Sequence, residues 1–150
     1  MLTYSYNSEN ILARVVRGDL PADVLIETKH SLVIADIRPQ APSHYLVLPK
    51  GPFCCFDHFL DRAPKEEVFD FFDTARIAVN KLNLSPDHGG GGYRLIANTG
   101  EDGFQEIAHF HLHIVGGRWL GPLLPENTDR QTAQDKFGMK LGNHEMLEDM

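Results

Sequence analysis

The sequence predicts an α+β fold in which helices pack against a mostly antiparallel sheet, and three observations lead to it. Five short apolar segments are separated by Gly, Pro and polar turns. One longer stretch, from Pro64 to Leu82, repeats its apolar residues at helical spacing. The run His109-Phe110-His111-Leu112-His113-Ile114-Val115 alternates histidine with apolar residues, the period of a half-buried strand.

The elements follow in order. Ile11, Leu12, Val15 and Val16 form a short amphipathic helix that Gly18 punctuates. Val24 to Ile26 and Leu32 to Ala35 read as a hairpin around the polar residues Glu27 to Ser31. Pro39-Gln40-Ala41-Pro42 is a turn, and His44 to Leu48 is a third strand stopped by Pro49 and Gly51. Pro64 suits the first position of the long helix, and Glu66 and Glu67 complement the positive end of its dipole. Its apolar face is Val68, Phe71, Phe72, Ala75, Val79 and Leu82. Ser85-Pro86 and Gly89 to Gly92 make a loop, Tyr93 to Ala97 a fourth strand, and the histidine run a fifth. The 150 residues form one domain, with a core over about 11–124, an extension over 1–10 and a polar tail over 126–150.

Composition narrows the function. A hydrophobic content of 42% supports a real core, and a net charge of −7 argues against a nucleic-acid binder held by bulk electrostatics. No apolar run is long enough for a membrane helix, and the polar residues 1–10 lack the pattern of a signal peptide, so the expected location is the cytoplasm. Cys54 and Cys55 are adjacent, so they build no disulfide framework and lack the usual zinc spacing. They read as small, mostly reduced residues beside Phe53 and Phe56. The four glycines at 89–92 lack the phosphate-loop pattern and do not lead into a helix.

The histidine run carries the chemistry. On a strand, His109, His111 and His113 line one face while Phe110, Leu112 and Ile114 line the other. A row of three imidazoles suits nucleophilic attack, proton transfer or metal binding. No carboxylate lies inside the run, although Glu106 and His44 are candidates to approach it, so nucleophilic and metal chemistry stand level on local sequence.

The run matches the H-φ-H-φ-H-φ-φ signature of the histidine triad (HIT) family, and the likeness extends beyond it. Gly92-Tyr-Arg-Leu-Ile-Ala-Asn98, Gly100, Asp102-Gly103, Gln105 and Gly116-Gly117-Arg118 resemble the bacterial-type Hint branch. So do Arg17 to Pro21 and Ala35 to Lys50, so that the resemblance spans roughly 11–124. It implies a HIT-like fold: a five-stranded antiparallel sheet with a long and a short helix, joined to a second copy's sheet in a homodimer. It implies hydrolysis at the α-phosphate of purine nucleoside phosphoramidates through a nucleotidyl-histidine, with no cofactor and no metal.

By the same resemblance, His111 is the nucleophile, His113 lies beside the phosphate, His109 supports the row and His44 packs near it. Asp36 would hold the ribose hydroxyls, Ile37 would flank the base, and Asn98 and Gln105 would bond the phosphate region. Glu106 stands near the leaving group where animal members carry Ser. Leu12-Ala13-Arg14-Val15 lies where some relatives place a zinc-binding C-x-x-C, so that zinc is not expected. The other readings are a dinucleoside polyphosphate or adenylylated-substrate hydrolase, a nucleotide-binding regulatory module with little turnover, and a metal-dependent hydrolase. The partners expected are a small purine nucleotide and a second copy of the chain, not nucleic acid or membrane.

Overall fold

A computed structural model describes residues 4–124. Its centre is a single antiparallel sheet of five strands in the order β1-β2-β3-β5-β4. The elements are α1 (Ile11–Val16), β1 (Val24–Glu27), β2 (Ser31–Ala35), β3 (Ser43–Pro49), α2 (Phe56–Arg62), α3 (Lys65–Lys81), β4 (Tyr93–Ile96) and β5 (Leu112–Gly116). The expected fold class and all five strands are present. The polar tail over 126–150 lies outside the described residues.

Strand alternation sorts the side chains onto two covered faces. Val33, Val47, Leu112 and Ile114 point to one face, where Phe59 of α2 and Phe71, Ala75, Ala78 and Val79 of α3 close the main core. Leu32, Ile34, Leu46 and Leu48 point to the other, against Leu12 of α1. Phe59, Phe71 and Phe110 form a triangle with ring centroids 5.0–5.2 Å apart. Each such aromatic pair contributes roughly 0.5–1.5 kcal/mol beyond its burial. Because Phe110 stands between His109 and His111, this triangle also anchors the histidine row.

Three details depart from the sequence reading. The histidine run is not all strand: β5 begins at Leu112, so His109 and His111 precede it. The alternation persists nonetheless, because Phe110 is drawn into the core and its N–H donates to Phe53 O at 2.7 Å. Phe71 is fully buried whereas Phe72, expected on the same face, is substantially exposed and packs edge-on against it, with ring centroids 5.1 Å apart. The helix α2, for which no element was expected, follows the spacing Phe56, Phe59, Leu60 and Ala63, a signal too short to stand out between the cysteines and Pro64.

The glycine loop is tightly folded rather than open. A single 3₁₀ turn, Pro86–His88, leads into it. Gly90 N–H donates to Ser85 O and Gly92 N–H to Leu84 O, both at 2.9 Å. A Cβ at Gly90 would lie 2.4 Å from Asn83 O, so this glycine permits a close backbone approach.

Candidate active site

The register of the sheet builds the site. His44 on β3 pairs with Val115 and Leu46 pairs with His113, so His44 and His113 are diagonal neighbours on one face. Their rings meet with His44 Nε2 at 2.9 Å from His113 Nδ1. Asp36, at the end of β2, donates its backbone N–H to His44 O at 2.9 Å, and its Oδ2 lies 3.3 Å from His44 Nε2. His111 stacks edge-on to His113, with centroids 4.9 Å apart. Thus Asp36, His44, His111 and His113 come together from three separate stretches of the sequence.

Fixed backbone partners determine which nitrogen of each neutral ring carries the proton. His111 Nδ1 lies 2.7 Å from His109 O, a pure acceptor, so Nδ1 holds the hydrogen and Nε2 keeps a free lone pair. Gln40 N–H donates to His44 Nδ1 at 3.1 Å, so the hydrogen of His44 is on Nε2 and points at His113 Nδ1. His113 is thereby left with its own hydrogen on Nε2. The turn that supplies the Gln40 donor is braced by Arg118, whose guanidinium donates to Gln40 O at 3.0 Å. His109 is fully buried; its Nε2–H donates to Pro49 O at 2.8 Å, and its Nδ1 accepts from the Tyr6 hydroxyl at 2.6 Å.

The electrostatics favour neutral rings throughout. Burial depresses the pKa of His111 below the usual histidine value, and that of His44 as well, against the upward pull of Asp36. Burial, with the neighbouring His111 and His44, pushes His113 down to about 3. Burial takes His109 down to about 4. His113 therefore acts as a neutral N–H donor rather than as an imidazolium. Burial raises the carboxyl of Glu106, opposed by Arg38 and reinforced by Asp36.

The other residues singled out in the sequence are placed as follows. Ile37 is 91% exposed next to Asp36. Asp36 Oδ1 accepts the Arg38 N–H at 2.8 Å, so its carboxylate also shapes this turn. Asn98 donates its amide hydrogen to Gly103 O within the loop ahead of the row. Gln105 donates to Cys54 O at 2.7 Å and Ile107 O at 2.9 Å, which uses both hydrogens of its amide. These two amides brace the approach to the row. Cys54 and Cys55 are buried and free, and burial pushes the Cys54 thiol up to about 11, so it is no ready nucleophile.

Asp36, His44 and His113 also satisfy the spacing of a metal site: one ligand atom from each lies within 4.8 Å of the others. In the present arrangement the His113 Nδ1 lone pair is engaged by the His44 hydrogen. Tyr6 was missed by sequence reading, which treated residues 1–10 as a polar extension. Its signal was the alternation of Tyr4 and Tyr6, which places two aromatic rings on one side of an extended segment.

Comparison with known proteins identifies the family and the fold. The HIT domain model matches residues 17–120. A HIT-like protein of Azospirillum brasilense is 40% identical over 120 residues, covering 80% of this chain and 95% of that protein. The purine nucleoside phosphoramidase of Escherichia coli K12 is 35% identical over 118 residues, covering 77% and 93%. Among solved structures, a HIT family hydrolase from Clostridium thermocellum superposes with a TM-score of 0.67 at 26% identity, covering 79% of this chain and 99% of that one. A HIT family hydrolase from Legionella pneumophila gives 0.60 at 32% identity, covering 74% and 95%. The chain belongs to the HIT domain family.

Proposed function

We propose that this chain hydrolyses purine nucleoside phosphoramidates by double displacement at the α-phosphorus. The observation that carries the reading is the hydrogen bond from His111 Nδ1 to His109 O, which leaves His111 Nε2 with a free lone pair beside the N–H of His113. The relationship to the Escherichia coli phosphoramidase supports the substrate class.

In the first step His111 Nε2 attacks phosphorus; the new P–N bond to histidine forms as the bond to the amine breaks. His113 Nε2–H donates to the phosphoryl region, where negative charge gathers. The departing amine requires a proton, and Glu106, its acid form favoured by burial, is the group at hand. Water then attacks phosphorus and gives its proton to the Glu106 carboxylate left by the first step, the P–N bond to His111 breaks, and the nucleoside monophosphate leaves with the neutral imidazole restored. Asp36 takes the ribose hydroxyls and Ile37 flanks the base. Asn98 and Gln105 hold the loop that faces the phosphate. The active unit is a homodimer, formed through the open edge of β4, where Tyr93, Leu95 and Ile96 are exposed.

A second reading follows from the spacing of Asp36, His44 and His113: a metal-dependent hydrolase. A panel of adenosine and guanosine phosphoramidates, with dinucleoside polyphosphates beside them, separates the substrate classes. Assay before and after dialysis against a chelator separates the mechanisms. Preferred turnover of phosphoramidates at a rate unchanged by the chelator is expected. A large loss restored by zinc or manganese would establish the metal reading instead.

A further inference from the structure

We propose that Tyr6, which lies outside the residues matched by the HIT domain model, is a positioning residue of the active site. Its hydroxyl holds the His109 ring, and His109 in turn holds the ring of the nucleophile. This rests on the reading of His111 given above.

The segment that carries Tyr6 is tied down along its length. The Tyr4 hydroxyl donates to Asp57 Oδ2 at 2.7 Å. The Cys54 thiol points at Ser5 O at 3.5 Å, and Arg17 donates to Ser8 O. Asn10 is buried and caps α1, its Oδ1 accepting the Ala13 N–H at 2.8 Å. Between these anchors the Tyr6 hydroxyl reaches His109 Nδ1 at 2.6 Å.

The roles at that contact follow from the partners. His109 Nε2–H is committed to the Pro49 carbonyl at 2.8 Å, so Nδ1 has no hydrogen and Tyr6 must donate. Burial holds the phenol above its ordinary range, so it remains an O–H donor through neutral pH. With both nitrogens engaged, the His109 ring is fixed at two points. The carbonyl of the same residue accepts the His111 Nδ1–H at 2.7 Å. Among the described residues the Tyr6 hydroxyl is the only partner of His109 Nδ1, so without it a buried acceptor stands unpaired and that carbonyl loses one of its constraints.

The test is Tyr6→Phe, which removes only the hydroxyl, with Tyr4→Phe as the control that loosens the segment without touching the row. Both are read by long-range 1H–15N NMR of the histidine rings and by kinetics on adenosine phosphoramidate. Wild-type His109 is expected to carry its proton on Nε2 with Nδ1 hydrogen-bonded, and His111 to carry its proton on Nδ1. In Tyr6→Phe the His109 Nδ1 signal moves toward that of a free nitrogen and the His111 Nδ1–H exchanges faster with solvent. The same variant loses about tenfold in kcat, the scale of one supporting hydrogen bond, with KM unchanged. Tyr4→Phe leaves ring signals and kcat at wild-type values. A wild-type His109 protonated on Nδ1 overturns the proposal whatever the variants do. So does a Tyr6→Phe protein with unaltered ring signals and kcat, or an equal loss in Tyr4→Phe. The NMR arm needs no substrate: a wild type inactive on phosphoramidates would refute the proposed function alone, and the ring signals would still decide the role of Tyr6.

Discussion

At the residue scale, the row works because its members differ. Three histidines of identical chemistry receive different backbone partners and so present different atoms: His111 a bare nitrogen, His113 an N–H, His109 a ring engaged on both sides. The pH dependence follows. The proposed attack needs His111 unprotonated, and burial lowers the pKa values of His111 and His113, so the neutral forms persist below the ordinary value of about 6.5. The rate should not fall from neutral pH into mild acid and should drop only at lower pH; a rate already halved at pH 6.5 would contradict this assignment. Asp36 is tested with Asp36→Asn, which keeps an acceptor for the Arg38 N–H and removes the charge. Nucleoside monophosphate binding, measured by calorimetry, should weaken by roughly 1.5–3 kcal/mol for each charge-assisted hydrogen bond to a ribose hydroxyl, and unchanged affinity would reject the ribose role. The identity of the row was legible in its spacing. The partners that set its tautomers were not: the Gln40 N–H reaches His44 only through the conformation of the turn between them, and Tyr6 reaches His109 across the fold, which the alternation of Tyr4 and Tyr6 does not specify.

At the scale of elements, the alternation around the histidines was read correctly for a reason that differs from the expected one. Phe110 faces the core because it completes the aromatic triangle with Phe59 and Phe71, although it lies before β5. The apolar side of the run therefore supports the row through packing where sheet pairing has not begun. Phe110→Ala should cost about 3–5 kcal/mol in urea unfolding, the range for a buried aromatic, and should lower activity as well. A cost below about 1 kcal/mol would mean that the triangle does not anchor the row. The long helix was legible because its stripe recurs over several turns. Phe72 was misjudged because it sits at the margin of that stripe, one residue from fully buried Phe71. The short helix α2 offered a single period of the pattern, and its Phe59 becomes visible as a core residue only once α3 is packed beside it.

At the scale of the whole molecule, the sheet ends in an edge that bears exposed apolar residues. Tyr93, Leu95 and Ile96 lie on β4, whose other side has no strand among the described residues. Such an edge is a template for pairing with another chain. Light scattering at micromolar concentration should give a dimer, and Leu95→Asp should give a monomer; a wild-type monomer would remove the proposed assembly. The five strands and their antiparallel pairing were expected from periodicity together with the family resemblance, whereas their order and the way residues 4–10 fold back onto the row were not. The central claim is that His111 forms a covalent bond to phosphorus, and intact-mass spectrometry of the chain, acid-free quenched during turnover of adenosine phosphoramidate, tests it most directly. The account predicts a transient mass increase of one adenylyl group that maps to His111, and its absence in His111→Ala together with a loss of activity of several orders of magnitude. Full activity in His111→Ala, or an adduct that maps to another residue, would contradict it.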